Sequence, residues 1–334
     1  MPKVRRLLLW AACMVVALPV VLLLAAWMVV THPQMHGSRR MPAATADSSR
    51  LRQDVETLAV SFGPRDHDHP ENLDRVAAFV REAFAAAGAR VSDQSWQVDG
   101  RTYRNAVGRF GPETGPRVVI GAHYDTVHDH PGADDDASGV AALLEMARHL
   151  GRMRLPVTVE LVAYSLEETQ LQHVGAGSMV HAASLHAAGV DVRLMVSLDE
   201  IGYFTPSPRS QRYPVPRLSV VYPTRGDFIA VIGRLDGAWR DVGLIKRAIR
   251  STTGLPAVAI SVPVSVVPSI DNSDHSSYWT HGYRAVLVNN TAGNRNPNKH
   301  AAGDLPATLD YGRMAKVVTG VLDAVVQLAN RPRS

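Results

Sequence analysis

The sequence predicts an α/β protein with a mixed, largely parallel central sheet flanked by helices and preceded by one transmembrane helix, and three observations carry that prediction. Short apolar runs alternate with helical patterns beyond residue 49, acidic side chains follow the ends of those runs, and an uncharged apolar stretch opens the chain. Such alternation argues for a sheet covered on both faces, in which ligands gather beyond the carboxyl ends of the strands.

The opening stretch, Leu7 to Val30, carries no charge, and as a helix rising about 1.5 Å per residue it covers roughly 36 Å, enough to cross a bilayer's hydrocarbon. Lys3, Arg5 and Arg6 precede it, and Trp10 and Trp27 lie near its ends, where aromatic rings favour the interfaces. Residues 1–6 are therefore expected in the cytoplasm, 7–30 as a signal-anchor helix in the lipid bilayer, and the rest in the periplasm or outside the cell. A cleaved signal peptide is the rival reading. Its apolar region usually spans about 7 to 15 residues with a small-residue cleavage site close behind, whereas Ala44-Thr45-Ala46 lies well downstream. Arg39 and Arg40 place positive charge on the far side as well, and Cys13, inside the run, reads as an inert lipid-facing thiol. Residues 31–49, rich in Pro, Gly, Ser, Arg and Ala, read as a linker without chemistry, and 50–330 as one catalytic domain.

Within that domain, Glu71 to Ala89 repeats Leu73, Val76, Phe79, Val80 and Phe84 at helical spacing and closes near Gly88. Val118–Ala122, Val157–Tyr164, Val192–Leu198 and Arg284–Val288 read as strands; Gly139–Leu150, Gly177–Ala188 and Leu309–Leu328 read as helices. Phe204 to Val267 is poorly patterned, and its Pro, Arg and Tyr content suggests long loops over a site. Across all 334 residues, 46% hydrophobic and 20% charged side chains exclude a mainly disordered or collagen-like chain. A single cysteine excludes an internal disulfide, a Cys-rich zinc site and a CxxC redox pair, so any metal must be held by His, Asp and Glu. The formal charge of +4 comes without basic blocks interleaved with aromatics, so no nucleic-acid partner is expected.

His123 and Asp125, two apart on extended backbone, project to one side; alone, such a pair is more often structural than functional. Ten residues on, Gly132-Ala133-Asp134-Asp135-Asp136-Ala137-Ser138-Gly139 places three adjacent carboxylates before a buried-looking helix, where they repel one another unless a cation or the helix dipole compensates. Glu167-Glu168 and Asp199 then follow two further strands. Consecutive residues of an extended chain point apart, so one glutamate could bind metal while the other handles a proton. Ser273-Asp274-His275 and Asn298-Lys299-His300 add imidazoles. There is no Gly-x-Ser-x-Gly elbow, His-Glu-x-x-His helix or phosphate loop, and Asn289-Asn290-Thr291 reads as a chance match to a glycosylation acceptor.

In order and approximate spacing this set resembles the co-catalytic zinc aminopeptidases of the bacterial leucyl aminopeptidase type, zinc peptidases of clan MH, over roughly residues 50 to 330. The resemblance implies a zinc-exopeptidase, phosphorylase/hydrolase-like fold and two Zn²⁺ ions acting on a peptide or aminoacyl substrate. Asp135 would bridge the ions, His123 and Asp199 would complete one set of protein ligands, and Glu168 and His300 the other. Glu167 would be the general base and Asp125 the carboxylate orienting His123. Three carboxylates against two Zn²⁺ would leave one net positive charge, which a hydroxide would neutralise. The sequence departs from the family at His300-Ala301-Ala302-Gly303-Asp304-Leu305, where His-Thr-x-x-Asp-Thr is common, and at Glu200, where an apolar residue is common. His275 is a competing ligand, while His128, His130 and His173 read as loop or surface residues. The glutaminyl cyclases are similar and supply an alternative, a one-zinc cyclotransferase; a non-catalytic membrane-anchored binding ectodomain is a second.

Overall fold

The computed structural model describes the backbone of residues 2–33, 39–168, 175–235, 237–263, 265, 267 and 270–332, with side chains from Ala17 onward. In chain order the elements are α1 (Pro2–Thr31), α2 (Ser48–Glu56), α3 (Pro70–Ala86), β1 (Arg90–Val98), β2 (Arg101–Phe110), β3 (Arg117–His123), α4 (Ser138–Leu150), β4 (Thr158–Tyr164), α5 (Gly177–Ala187), β5 (Val192–Leu198), β6 (Ile229–Gly233), α6 (Trp239–Thr253), β7 (Ala257–Ser261), α7 (His275–Thr280), β8 (Ala285–Asn289) and α8 (Tyr311–Ala329).

The strands form one sheet in the order β1-β2-β4-β3-β5-β8-β6-β7. Its centre, β4-β3-β5-β8, is parallel, while β1, β2 and β6 add antiparallel pairs toward the edges. Alternate side chains of β3 go to opposite faces, as an extended chain requires. Val118, Ile120 and Ala122 join a large core beneath α2, α3, α4 and α8, and Val119 joins a smaller one with Leu185 of α5 and Tyr278 of α7. The apolar stripe Leu73, Val76, Val80 and Phe84 is the buried face of α3, which begins with Pro70 in its first turn.

The four strands and four helices expected within the domain are present within a few residues of their expected ends. The hairpin β1–β2 was not expected, because β1 is an edge strand whose alternation is of half-exposed and exposed residues rather than apolar and polar ones. The stretch read as loops, Phe204 to Val267, needs correction: it contains β6, α6 and β7, and the two strands are five-residue apolar runs too short for a period to show.

The expected membrane span is not established by the described residues. Among the described residues, no helix is long and apolar enough to cross a membrane. The helix α1 runs through the expected span, but the side chains before Ala17 lie outside the described residues, Trp10 and Cys13 among them. The linker is not a loose tether throughout. The Arg40 amide donates to Ser251 O at 3.0 Å, the Ala43 amide to Asp323 Oδ1 at 3.2 Å and the Ala46 amide to Thr319 Oγ1 at 3.0 Å, so this run lies against α6 and α8, which satisfy its backbone donors.

One buried cation ties the segments that carry the acidic cluster. The fully buried Arg65 donates to the carbonyls of Tyr124 (2.9 Å), Leu58 (2.8 Å), Pro131 (2.8 Å) and Gly132 (3.0 Å). Replacing it by Met leaves these carbonyls unpaired, and we expect Arg65→Met to lower the urea unfolding free energy by about 3 kcal/mol. A change below about 0.5 kcal/mol would show that water or another donor takes over.

Candidate metal centre

Four neighbouring parallel strands end on one rim, and three of them deliver the acidic and imidazole groups. The strand β3 ends at His123, β4 runs out through Ser165 to Glu167 and Glu168, and β5 is followed at once by Asp199. The aspartate cluster arrives on the connection from β3 to α4, where Asp135 and Asp136 leave helical geometry. Two glycines of the octapeptide have structural reasons. Gly132 is left-handed, with φ of 56°, and a Cβ on Gly139 would sit 2.5 Å from Leu198 O. Leu166, Glu200 and His300 are non-glycine residues at positive φ of 64°, 53° and 55°. Such conformations cost on the order of 1–3 kcal/mol each and gather at functional sites.

His123, Asp135, Asp199, Glu167, Glu168 and His300 converge. Three overlapping groups, His123–Asp135–Asp199, His123–Glu167–Glu168 and Asp135–Glu168–His300, each offer ligand atoms within 4.8 Å of one another. Asp135 is shared between two sides. Its Oδ1 lies 3.2 Å from His123 Nε2, which is 4.0 Å from Asp199 Oδ1; its Oδ2 lies 3.1 Å from His300 Nε2, which is 2.7 Å from Glu168 Oε1. The two glutamates converge on His123 rather than pointing apart, because the chain leaves the extended conformation at Leu166 before it reaches them.

The orienting role expected of Asp125 is partly overturned. His123 Nδ1 donates to the main-chain carbonyl of Asp125 at 3.1 Å, leaving the carboxylate 3.8 Å away. The carboxylate instead accepts the amides of Glu167 and Glu168, both at 3.0 Å, and so fixes the backbone carrying that pair. His275 is not brought to the cluster. It is buried, its Nε2 bonds Ile270 O at 2.8 Å, its ring meets Trp279 edge-on, and burial lowers its pKa to about 4. His128 and His130 lie on a turn, and His173 lies outside the described residues. The Asn289-Asn290-Thr291 run is structural: Asn289 donates to Asp199 O at 2.9 Å and Asn290 to Asp134 Oδ2 at 2.7 Å.

The electrostatics are those of anions held out of water. Burial raises Glu167 well above the ordinary carboxylate range, and the charges of Glu168, Asp274 and Asp199 add to the effect. Burial also raises Asp199, with Asp135 adding to it. Although burial favours its neutral form, Lys299, His123 and His300 hold Asp135 well below the usual range. Hydrogen bonds to Asp135 and Glu168 raise His300 to about 9. Asp199 Oδ1 is buried without a hydrogen-bond partner, and Asp135 Oδ1 faces the His123 imidazole at 3.2 Å. Buried carboxylate oxygens gathered about an imidazole nitrogen are costly alone and suit a cation with His and carboxylate ligands.

Several residues were not singled out by sequence. Asp304 accepts the amide of Asp134 at 2.9 Å and that of Asp135 at 3.1 Å, supplying the support that the departure after His300 left open. Asp134 accepts from the amides of Gly202 and Tyr203 and from Asn290 and Asn296, so it knits loops together. Asp274, on the motif before α7, is buried beside Ser178 and is raised by burial to about 7. Its Ser-Asp-His context was the available signal. Lys299 Nζ lies 2.5 Å from Asp135 Oδ2 and 2.9 Å from Glu200 Oε2. Two cavities of about 360 Å³ each flank Asp199 and Lys299. One holds Glu167, Glu168, Asp274 and His300 with several serines; the other has an apolar floor that includes Ile232, Ile260, Ile270 and Leu287.

Residues 105–226 match the pattern of Peptidase family M28. The chain is 42% identical over 286 residues to YfbL of Escherichia coli (strain K12), covering 83% of this chain and 87% of that protein. It is 25% identical over 311 residues to leucine aminopeptidase 1 of Metarhizium robertsii, covering 86% of this chain and 71% of that protein. Its fold matches a glutaminyl cyclase of Bacteroides thetaiotaomicron with a TM-score of 0.66 at 18% identity, covering 86% of this chain and 99% of the other. At that identity the likeness is one of fold.

The raised pKa of His300 sets a pH dependence. Below about 9 its imidazole carries a proton that a metal ligand must shed. Metal affinity at the Asp135–Glu168–His300 side should therefore rise about tenfold per pH unit from 7 to 9 and level off above, as measured by competition with a chelator of known protonation behaviour. A flat profile would mean that His300 is not a ligand.

Proposed function

The chain belongs to peptidase family M28, and from that premise we propose that it is an aminopeptidase that hydrolyses N-terminal peptide bonds with two zinc ions. His123, Asp135 and Asp199 would hold one ion and Asp135, Glu168 and His300 the other. The observation that carries this reading is Asp135, whose two oxygens face two different sets of ligand atoms beside a buried glutamate. When bound, zinc supplies Lewis acidity toward the scissile carbonyl and the attacking water.

The chain's own residues do the rest. Glu167, whose proton affinity is raised by burial and by neighbouring carboxylates, accepts a proton from the attacking water at its carboxylate and returns it to the leaving amine. Asp125 keeps Glu167 and Glu168 in register through their amides. The carboxylates around the polar cavity favour a substrate with a free α-ammonium over an internal peptide segment, which is the basis for exopeptidase action. The neighbouring cavity, with its apolar floor, suits the side chain of a large apolar N-terminal residue.

Glu167→Gln should lower kcat on a leucyl-anilide about 10²- to 10⁴-fold while zinc content, read by elemental analysis, stays at the wild-type level. Unchanged hydrolysis would rule out Glu167 as the base. Across aminoacyl-anilides, kcat/KM for Leu should exceed that for Ala by roughly tenfold or more, with Asp poorer still. Ring closure with ammonia release from an N-terminal glutamine peptide, in place of amino-acid release, would instead identify a cyclotransferase. Zinc binding without turnover of either substrate class would favour a binding ectodomain.

We also propose that α1 attaches the protein to a membrane with the catalytic part on the periplasmic or extracellular side. Support comes from the uncharged run Leu7 to Val30 and from the exposed apolar side chains of Leu18, Val20 to Leu24, Trp27 and Met28. At the other end of α1, Trp239 Nε1 donates to Val29 O at 2.7 Å and Lys246 Nζ to Thr31 O at 2.8 Å, which holds the helix against α6. Fractionation of the full chain should leave it in the membrane after alkaline carbonate washing and release a form lacking the first thirty residues. Release of both would contradict attachment through α1.

A further inference from the structure

The two sides of Asp135 are not equivalent. On the His123 side, Asp135 Oδ1 faces an imidazole, His123 Nε2 at 3.2 Å, and Asp199 Oδ1 is buried without a hydrogen-bond partner. On the other side a lysine joins the imidazole. Asp135 Oδ2 faces Lys299 Nζ at 2.5 Å and His300 Nε2 at 3.1 Å, and Glu168 Oε1 faces His300 Nε2 at 2.7 Å and Lys299 Nζ at 3.9 Å. Lys299 is thus a cation of the chain itself, set among the carboxylates that would hold the second metal.

Its other partner explains how it can be there. Lys299 Nζ is 2.9 Å from Glu200 Oε2, and Glu200 is buried, follows Asp199 directly and sits at positive φ, with its amide donating to Asp136 Oδ1 at 3.2 Å. The second Glu200 oxygen has no hydrogen-bond partner. A carboxylate buried beside other carboxylates is costly unless a cation attends it, and Lys299 is the cation that attends Glu200. The pair therefore gives Lys299 two places to bond, on the shared aspartate and on Glu200.

We propose that Lys299 is a built-in counter-cation that competes with metal for Asp135 Oδ2, so that the His123–Asp135–Asp199 side fills first and the Asp135–Glu168–His300 side fills only at higher metal concentration, as Lys299 withdraws toward Glu200. The device makes metal loading a two-step process set by the chain, and its positive charge weakens the second site by repulsion. This rests on the two-metal reading above.

The test is zinc titration of the metal-stripped full-length chain against a fluorescent chelator, reading two dissociation constants and, separately, the thermal midpoint of the stripped protein. Wild type should show one tight and one weaker zinc. Lys299→Met, and independently Lys299→Gln, should tighten the weaker constant at least about tenfold while the tight one moves less than about twofold. Both substitutions should also lower the midpoint of the stripped protein, which loses the cation attending Asp135 and Glu200, whereas the zinc-saturated midpoint changes little. Two equally tight zinc ions in the wild type, or a weaker constant that either variant leaves unchanged, overturns the role of Lys299 without touching the two-metal reading. A chain that binds fewer than two zinc ions in the wild type and in both variants overturns both.

Discussion

The structure depends on one electrostatic constraint: a rim of the sheet buries more carboxylates than the protein's own cations neutralise. Asp135, Glu167, Glu168, Asp199, Glu200 and Asp274 lie buried or nearly so around one point, with His123, His300 and Lys299 between them. Anions held out of water raise one another's proton affinity and repel, so such a cluster persists only where cations attend it. The unpaired Oδ1 of Asp199 marks where the chain's own cations run out.

Holding that cluster in place takes a rigid frame. The parallel arrangement of β4, β3, β5 and β8 sends the strand exits to one edge, and polar groups behind the cluster fix the loops that follow. Arg65 gathers the carbonyls of the segments on either side of His123 and Asp134, while Asp304 and Asp134 bind loop amides from distant parts of the chain. These contacts use backbone groups, so they position the candidate ligand side chains without consuming them. The left-handed conformations at Leu166, Glu200 and His300 are tolerated because the surrounding contacts over-determine them.

Much of this was legible in the sequence. The four central strands read as buried because parallel strands covered on both faces are continuous apolar runs, and the acidic residues that follow them are conspicuous against that background. His123, the Asp134–Asp136 run, the Glu167–Glu168 pair, Asp199 and His300 could be singled out by type and place, while the choice of Asp135 and Glu168 within them came from the family resemblance. Their pairing could not: that Asp125 would hold two amides rather than the His123 imidazole depends on a turn at Leu166 that no side-chain pattern announces. Lys299 was passed over because a lysine beside a histidine in a loop is ordinary until the fold brings it to Glu200. The strands β6 and β7 were missed for a different reason, being too short for a period, and the side chains of the first part of α1 lie outside the described residues.

The central claim is that the two oxygens of Asp135 serve two metal ions. It is tested most directly by an anomalous difference map, collected above and below the zinc absorption edge, from crystals grown with saturating zinc. The account predicts two peaks, one beside His123 and Asp199 and one beside Glu168 and His300, with Asp135 between them. A single peak remote from Asp135, or none within reach of its carboxylate, would contradict it.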